Sequence, residues 1–124
     1  MNSRSREPHQ APDHHACTLE ELRNIVRAFV DERDWEQFHT PKNLAMSVAI
    51  EAGELMECFQ WEPEAGAHED ADVARAADEL ADVLIYCLAM ANVLGLEDLA
   101  AVVLDKLERS GRKYPAEAFR GRFR

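Results

Sequence analysis

Apolar residues recur along this 124-residue chain at helical spacing, and no stretch joins β-branched alternation to hairpin turn signals. Leu22, Ile25, Val26, Phe29 and Val30 form one stripe, and Thr18 with Glu21 matches the Ser/Thr-x-x-Glu capping box before it. A first helix is therefore expected from Leu19 to about Glu32. The segment RDWEQFHTPKN interrupts the pattern. Thr40 before Pro41 then reads as an N-cap followed by proline at the first helical position, which predicts a second helix from Pro41 to about Gln60, stopped by Trp61-Glu62-Pro63. Residues 62–71 are acidic, contain Pro63 and Gly66, and read as a surface loop. A third helix is expected from about Asp72 to Leu94, closed by Gly95. A fourth starts near Glu97 and ends near Ser110-Gly111, with Leu99, Val102, Val103 and Leu107 as its stripe. The expected fold is an all-α bundle of four to five helices.

Two of these helices break the rule that an inward face is apolar. In IEAGELMECFQW, Glu51, Glu54 and Glu57 fall within about 120° of arc, and Ile50, Cys58 and Trp61 share that arc. In ADELADVLIYCLAMANVL, Glu79, Asp82 and Tyr86 fall within about 60°, with Leu80, Ala81, Leu84, Ile85 and Leu88 expected to cover the rest of the inward side. A short connection makes the two helices antiparallel neighbours.

Two readings of the acids stand side by side. They can be the solvated faces of amphipathic helices, which suits Glu57, Glu62 and Asp78. They can equally be ligands. Like charges at helical neighbour spacing cost about 0.2–0.5 kcal/mol per pair in water, and clustered carboxylates withdrawn from water cost far more unless a positive charge compensates. Lys42 and Arg75 lie far along their helices, so a cation is the natural partner. All-oxygen donors suit a hard ion, and two carboxylate pairs with waters and substrate phosphates suit Mg²⁺. A di-iron carboxylate bundle would need Glu-x-x-His on two helices. The one such string, Glu36 to His39, lies in the interrupted segment.

Composition narrows the classes further. The length supports one domain, nearly half the residues are hydrophobic, and no apolar run approaches the 18 or more residues of a membrane span. Residues 1–17 lack periodicity and read as a disordered tail, in which His9, His14 and His15 are taken as solvated. That stretch has no hydrophobic core of a secretory signal, and Cys17, Cys58 and Cys87 are a scattered, odd set; both suit a reducing cytoplasm. The net charge of −10 disfavours a non-specific nucleic-acid binder, whose affinity depends on neutralising phosphates. The charge is unevenly placed. Residues 50–82 hold eleven Asp or Glu against Arg75, and residues 109–124 hold six Arg or Lys against Glu117. An acidic centre beside a basic end suits a small polyanion held through a divalent metal.

The acids Glu51-Ala-Gly-Glu54, a long gap, then Glu79-Leu-Ala-Asp82 resemble the E-x-x-E…E-x-x-D signature of MazG-like all-α nucleoside triphosphate pyrophosphohydrolases. The blocks RDWEQFHTPKNL, GELMECFQW, DELADVLIYCLAMA and RKYP, in that order, are similar to the dCTP pyrophosphatase branch over residues 19 to 115. The domain is accordingly placed at residues 18–115, with 116–124 as a basic C-terminal tail. The resemblance implies a Mg²⁺-dependent enzyme that cleaves a deoxynucleoside triphosphate, dCTP or a modified dCTP, to the monophosphate and pyrophosphate. Glu51, Glu54, Glu79 and Asp82 match the metal ligands and catalytic carboxylates. Trp35, His39 and Trp61 match base-pocket positions, and each has an ordinary alternative as a packing or capping residue. Tyr86, one turn beyond Asp82, can hydrogen-bond a sugar or phosphate oxygen or simply end in water. Lys106, Arg112, Lys113 and Tyr114 match the basic block that meets phosphates. This chain departs from the family at Ser110, where Asn is common, and Ser has a shorter reach.

The resemblance further implies a homo-oligomer, a dimer or a tetramer of two dimers, with sites completed across subunits. The amount of apolar surface on helices two and three points the same way, because a lone bundle would leave it poorly covered. The alternatives are a related pyrophosphohydrolase for dUTP, broad NTPs or a phosphoribosyl nucleotide, and a non-catalytic helical dimerisation module. No nucleic-acid polymer and no membrane is expected as a partner.

Overall fold

A computed structural model of the chain describes residues 17–62 and 73–122. The tail with His9, His14 and His15 and most of the acidic loop lie outside the described residues. The described residues are helical with no strand: α1 (Leu19–Glu32), α2 (Pro41–Glu57), α3 (Val73–Val93), α4 (Leu99–Lys113) and the short α5 (Ala116–Phe119), with a 3₁₀ turn at Glu36–Phe38 in the interrupted segment.

The expected caps form. Thr18 Oγ1 accepts from the Glu21 amide at 3.1 Å, and Thr40 Oγ1 accepts from the Asn43 amide at 3.1 Å. Each satisfies an amide that the first turn leaves unpaired. Helix α4 begins at Leu99, two residues later than expected, because Asp98 is its cap: Asp98 Oδ1 accepts from the Ala101 amide at 2.9 Å. Helix α3 ends as Gly95 predicts. Gly95 takes φ +67, its amide bonds the Asn92 carbonyl at 3.2 Å and the Leu96 amide bonds the Ala91 carbonyl at 3.1 Å. Helix α1 ends in the same hydrogen-bonded geometry with Asp34 in the left-handed position, φ +55, and the Trp35 amide bonded to the Val30 carbonyl at 3.1 Å. Asp is one of the few side chains that tolerates this conformation, and the turn it makes fixes where Trp35 leaves the helix.

Helices α2 and α3 form the most extensive pair, α1 packs on α3, and α4 packs on α1. The pair is antiparallel: Glu57 meets Arg75, Glu51 approaches Glu79, and Leu44 shares a core cluster with Leu88. That core holds Val26, Val30, Leu44, Leu88 and Ala89, with Leu22, Tyr86 and Leu99 packed against it. Leu44 and Leu88 are fully buried, and each contributes about 1.5–3 kcal/mol.

Burial departs from the sequence reading on the stripes. Of the α3 residues expected to cover the inward side, Leu88 is buried while Leu80, Leu84 and Ile85 are exposed, and in α4 Val102, Val103 and Leu107 are exposed. Periodicity assigns a residue to a face but not a neighbour to that face, and within this chain α1 reaches only part of α3. A second departure is Arg23, which is 3% exposed. Its Nε donates to Asn92 Oδ1 at 3.0 Å, its Nη1 lies 3.5 Å from Glu20, and the Asn92 amide donates to the Arg23 carbonyl at 3.0 Å. The charge is tolerated because its donors are satisfied.

Candidate metal centre

Successive turns of α2 and α3 carry the acids to one place. Glu51, Glu79 and Asp82 each bring a carboxylate oxygen to within 4.8 Å of the others. Glu54, one turn beyond Glu51, lies within hydrogen-bonding reach of both Glu51 and Glu79. Gly53 sits between Glu51 and Glu54, and no atom beyond its own stretch of helix lies within 4 Å of where its Cβ would be.

The electrostatics are those of a site short of positive charge. Burial is the first cause that raises the Glu51 carboxyl above its ordinary value, followed by the hydrogen bond and charge of Glu54 and then the charges of Asp82 and Glu79. Glu79 is raised by the same first cause and by Glu54 and Asp82, with Arg75 opposing. Glu51 Oε2 and Glu79 Oε2 are buried and have no hydrogen-bond partner. Buried polar atoms are normally satisfied, and orphaned oxygens on two acids of one cluster are what a cation would satisfy. The donor set is all oxygen and anionic, so it fits a hard divalent ion such as Mg²⁺. Glu57, the third acid of the α2 run, instead pairs with Arg75 at 3.6 Å, so it stands outside the cluster as its helical angle predicts.

The other predicted site residues are distributed along the same edge and beyond it. Tyr86, one turn past Asp82, is half-buried against the core. Trp35 is packed edge-on against Phe29, ring centres 5.8 Å apart, and Arg33 stacks on Phe29 at 3.5 Å. His39 lines a cavity between α1, the 3₁₀ turn and α3. Trp61 follows the end of α2 and is 89% exposed. The basic block lies on α4, which packs on α1, and its recorded partners are local: Arg112 with Glu108 at 3.2 Å, Lys113 over the Tyr114 ring at 5.3 Å, and Tyr114 edge-on to Phe119. Lys106 is exposed on the same helix. The chain thus gathers Glu51, Glu79 and Asp82, with Glu54 beside them, while the recorded partners of the basic block stay on α4 and just beyond it.

Sequence reasoning missed the residues around the His39 cavity and the Arg23–Asn92 node. A signal for the node existed. Arg23 precedes Val26 and Val30 at steps of three and four, on the arc that becomes buried, and Asn92 is a lone amide in an apolar run.

The chain is similar to known proteins. A model of the MazG-like family matches residues 46–122. The chain is 44% identical over 108 residues to dCTP pyrophosphatase 1 of Bos taurus and 43% identical over 107 residues to that of Homo sapiens, matches that cover 84% and 83% of this chain. It spans 63% and 62% of the length of those relatives. A pyrophosphatase of Archaeoglobus fulgidus DSM 4304, known from its crystal structure, superposes with a TM-score of 0.72 at 39% identity, covering 88% of this chain and 99% of that one. With the family model matched over residues 46–122 and the relatives matched over most of the chain, the chain belongs to the MazG-like family.

Proposed function

We propose that the chain is a Mg²⁺-dependent pyrophosphohydrolase that converts dCTP, or a modified dCTP, and water to the monophosphate and pyrophosphate, clearing the nucleotide pool of the cytoplasm. The observation that carries the reading is the pair of orphaned carboxylate oxygens, one from each acidic helix, in a chain this similar to dCTP pyrophosphatase 1.

Glu51, Glu54, Glu79 and Asp82 would hold the ion. Once bound, it supplies the positive charge that a triphosphate needs and acidifies water. The chain's own residues do the rest. The acidic face of α2 and α3 repels a bare triphosphate, so the substrate's phosphates would need the ion's charge to settle there. A carboxylate oxygen of this set that the ion leaves free takes the proton of the attacking water. Trp35 offers an exposed ring face on which a base stacks and His39 an edge hydrogen bond, while Trp61, about 25 Å away at the other end of α2, would stack on a base only in a neighbouring subunit's site. Lys106, Arg112, Lys113 and Tyr114 are assigned to the phosphates. Because α4 packs on α1, they serve a neighbouring subunit's site as readily as their own.

The active form is accordingly a homo-oligomer, dimer or dimer of dimers. Support comes from the uncovered stripes of α3 and α4 and from an apolar groove of about 610 Å³ walled by Leu55 and Met56 of α2, by Phe59 in the turn after it, and by Val73, Ala76 and Leu80 of α3. Surfaces of that kind mark association sites. The three cysteines are free thiols, in keeping with a reducing compartment, and among the described residues no helix is long and apolar enough to cross a membrane.

The test is turnover of a panel of dNTPs and NTPs, including 5-substituted dCTP, with Mg²⁺, measuring pyrophosphate against orthophosphate. Pyrophosphate from dCTP is expected. Orthophosphate as primary product, or no turnover of any nucleotide, overturns the reading.

A further inference from the structure

The cavity that His39 lines has a polar set with a definite pattern. Its volume is about 140 Å³, below the roughly 300–1,000 Å³ of pockets that take a whole drug-sized ligand, so it takes one ring and not a nucleotide. Arg27 and Asp31 come from α1, Glu36 from the 3₁₀ turn, and Asn92 from α3. The floor is apolar, formed by Val30 and Ala89 of the core.

The cation in this cavity is fixed in place. Arg27 Nη2 donates to Asn92 Oδ1 at 3.0 Å and Nη1 to Asn24 Oδ1 at 3.4 Å. Asn92 is itself held by Arg23, so the guanidinium is anchored through a satisfied, buried node. Among the described residues Arg27 has no carboxylate within 4 Å, and the carboxylates of Asp31 and Glu36 have no hydrogen-bond or ion-pair partner. One cavity thus holds the donors of Arg27 and the acceptors of Asp31 and Glu36. A phosphate would be repelled by the two carboxylates. A neutral heterocycle with adjacent donor and acceptor edges meets both kinds of group.

Position ties the cavity to the acidic centre. Ala89 lies on the α3 arc of Glu79, Asp82 and Tyr86, about 10 Å along the axis from Asp82, a span that a sugar and its phosphate bridge. We propose that this cavity reads the edge of the substrate's base, with Asp31 and Glu36 accepting from the 4-amino group of cytosine and Arg27 donating to its N3 and O2. Carboxylates are the natural acceptors of that amino group. Uracil and thymine reverse the pattern, placing a carbonyl oxygen against the carboxylates, and are rejected. The assignment rests on the pyrophosphohydrolase reading and deepens it by naming Arg27, Asp31 and Glu36 as the residues that set base preference.

Turnover of dCTP and dUTP by the full chain with Mg²⁺ tests this in wild type, Asp31→Asn, Glu36→Gln and the double variant, with thermal unfolding as a check on folding. An amide also donates, so it accommodates the uracil carbonyl. The dCTP-to-dUTP ratio of kcat/KM is expected to fall roughly tenfold in at least one single variant and further in the double. A ratio unchanged in all three, with the wild type active on dCTP, overturns the assignment and leaves the activity standing. Should the wild type turn over neither nucleotide, the activity reading fails alone, and NMR of free cytidine and uridine decides the cavity. Shifts at the Asn92 side-chain amide with cytidine and not with uridine support it, and no shift with either overturns it.

Discussion

Glu51 of α2 and Glu79 of α3 each bury one carboxylate oxygen without a partner while bringing an oxygen within 4.8 Å of the other. The two helices therefore pack across a charge deficit that a divalent cation would relieve. Glu79→Gln removes one charge and one ligand together. It is expected to unfold at a higher temperature than wild type in EDTA, to lose the rise in Tm that Mg²⁺ gives the wild type, and to lose turnover by no less than the about 10–100-fold seen when groups outside a metal's immediate ligands are altered. A full Mg²⁺-induced rise in the variant would remove Glu79 from the ligand set.

Acidity should act through the same pair. Both carboxyls are raised above the ordinary 4.5, first by burial and then by their acidic neighbours. A carboxyl raised in the folded state contributes stability that is present below its unfolded pKa and lost as pH rises through the folded value. In EDTA, the stability contributed by this pair is expected to decline from about pH 4.5 upward, and the gain in Tm from added Mg²⁺ is expected to grow over the same range. Melting curves across pH, with Glu79→Gln as the control that flattens the dependence, measure it. A Mg²⁺ gain that shrinks with rising pH would contradict the assignment.

Much of this was legible in the chain. Thr18, Thr40 and Gly95 act through bonds to residues at most four positions away, so their spacing was enough to place three helix ends. The acids were legible because a carboxylate is conspicuous among Leu, Ile and Met. Arg23 was not, since a guanidinium on a helix ordinarily lies in water and its burial depends on Asn92, distant in sequence. The stripes of α3 and α4 were legible as faces, but what covers a face is decided by its neighbours, and among the described residues these stretches stay exposed. The His39 cavity was invisible because three separate elements build it.

Asn92 accepts from two guanidiniums and returns a bond to the Arg23 carbonyl. Asn92→Ala leaves the buried Arg23 without its principal acceptor, at a cost of about 2–3 kcal/mol in urea unfolding. A loss below about 1 kcal/mol would mean that water replaces the amide.

Trp61 behaves oppositely. With 89% of its surface exposed, Trp61→Ala should change the stability of the isolated chain by less than about 0.5 kcal/mol, against about 2–5 kcal/mol for Leu88→Ala in the core. If Trp61 stacks on a base, KM rises more than kcat falls. Unchanged kinetics would return it to the surface.

Association is testable on α4. Leu107 is 61% exposed on an otherwise amphipathic helix, and Leu107→Glu is expected to shift sedimentation toward a smaller species without loss of helical content. An unchanged sedimentation coefficient would place the subunit contact elsewhere.

Helix α4 is pinned at its start and free along its length. Glu20 of α1 accepts from the Leu99 amide at 3.1 Å, and none of the fifteen residues of α4 is buried. Lys113 stands about 21 Å from that pin. The helix is a lever with its fulcrum in the core and its charged tip outside, so a tilt of roughly ten degrees at Leu99 swings the tip by about 4 Å. Whatever anchors the tip, a triphosphate or a neighbouring subunit, is felt at Glu20 and Arg23, beside the node that holds Arg27.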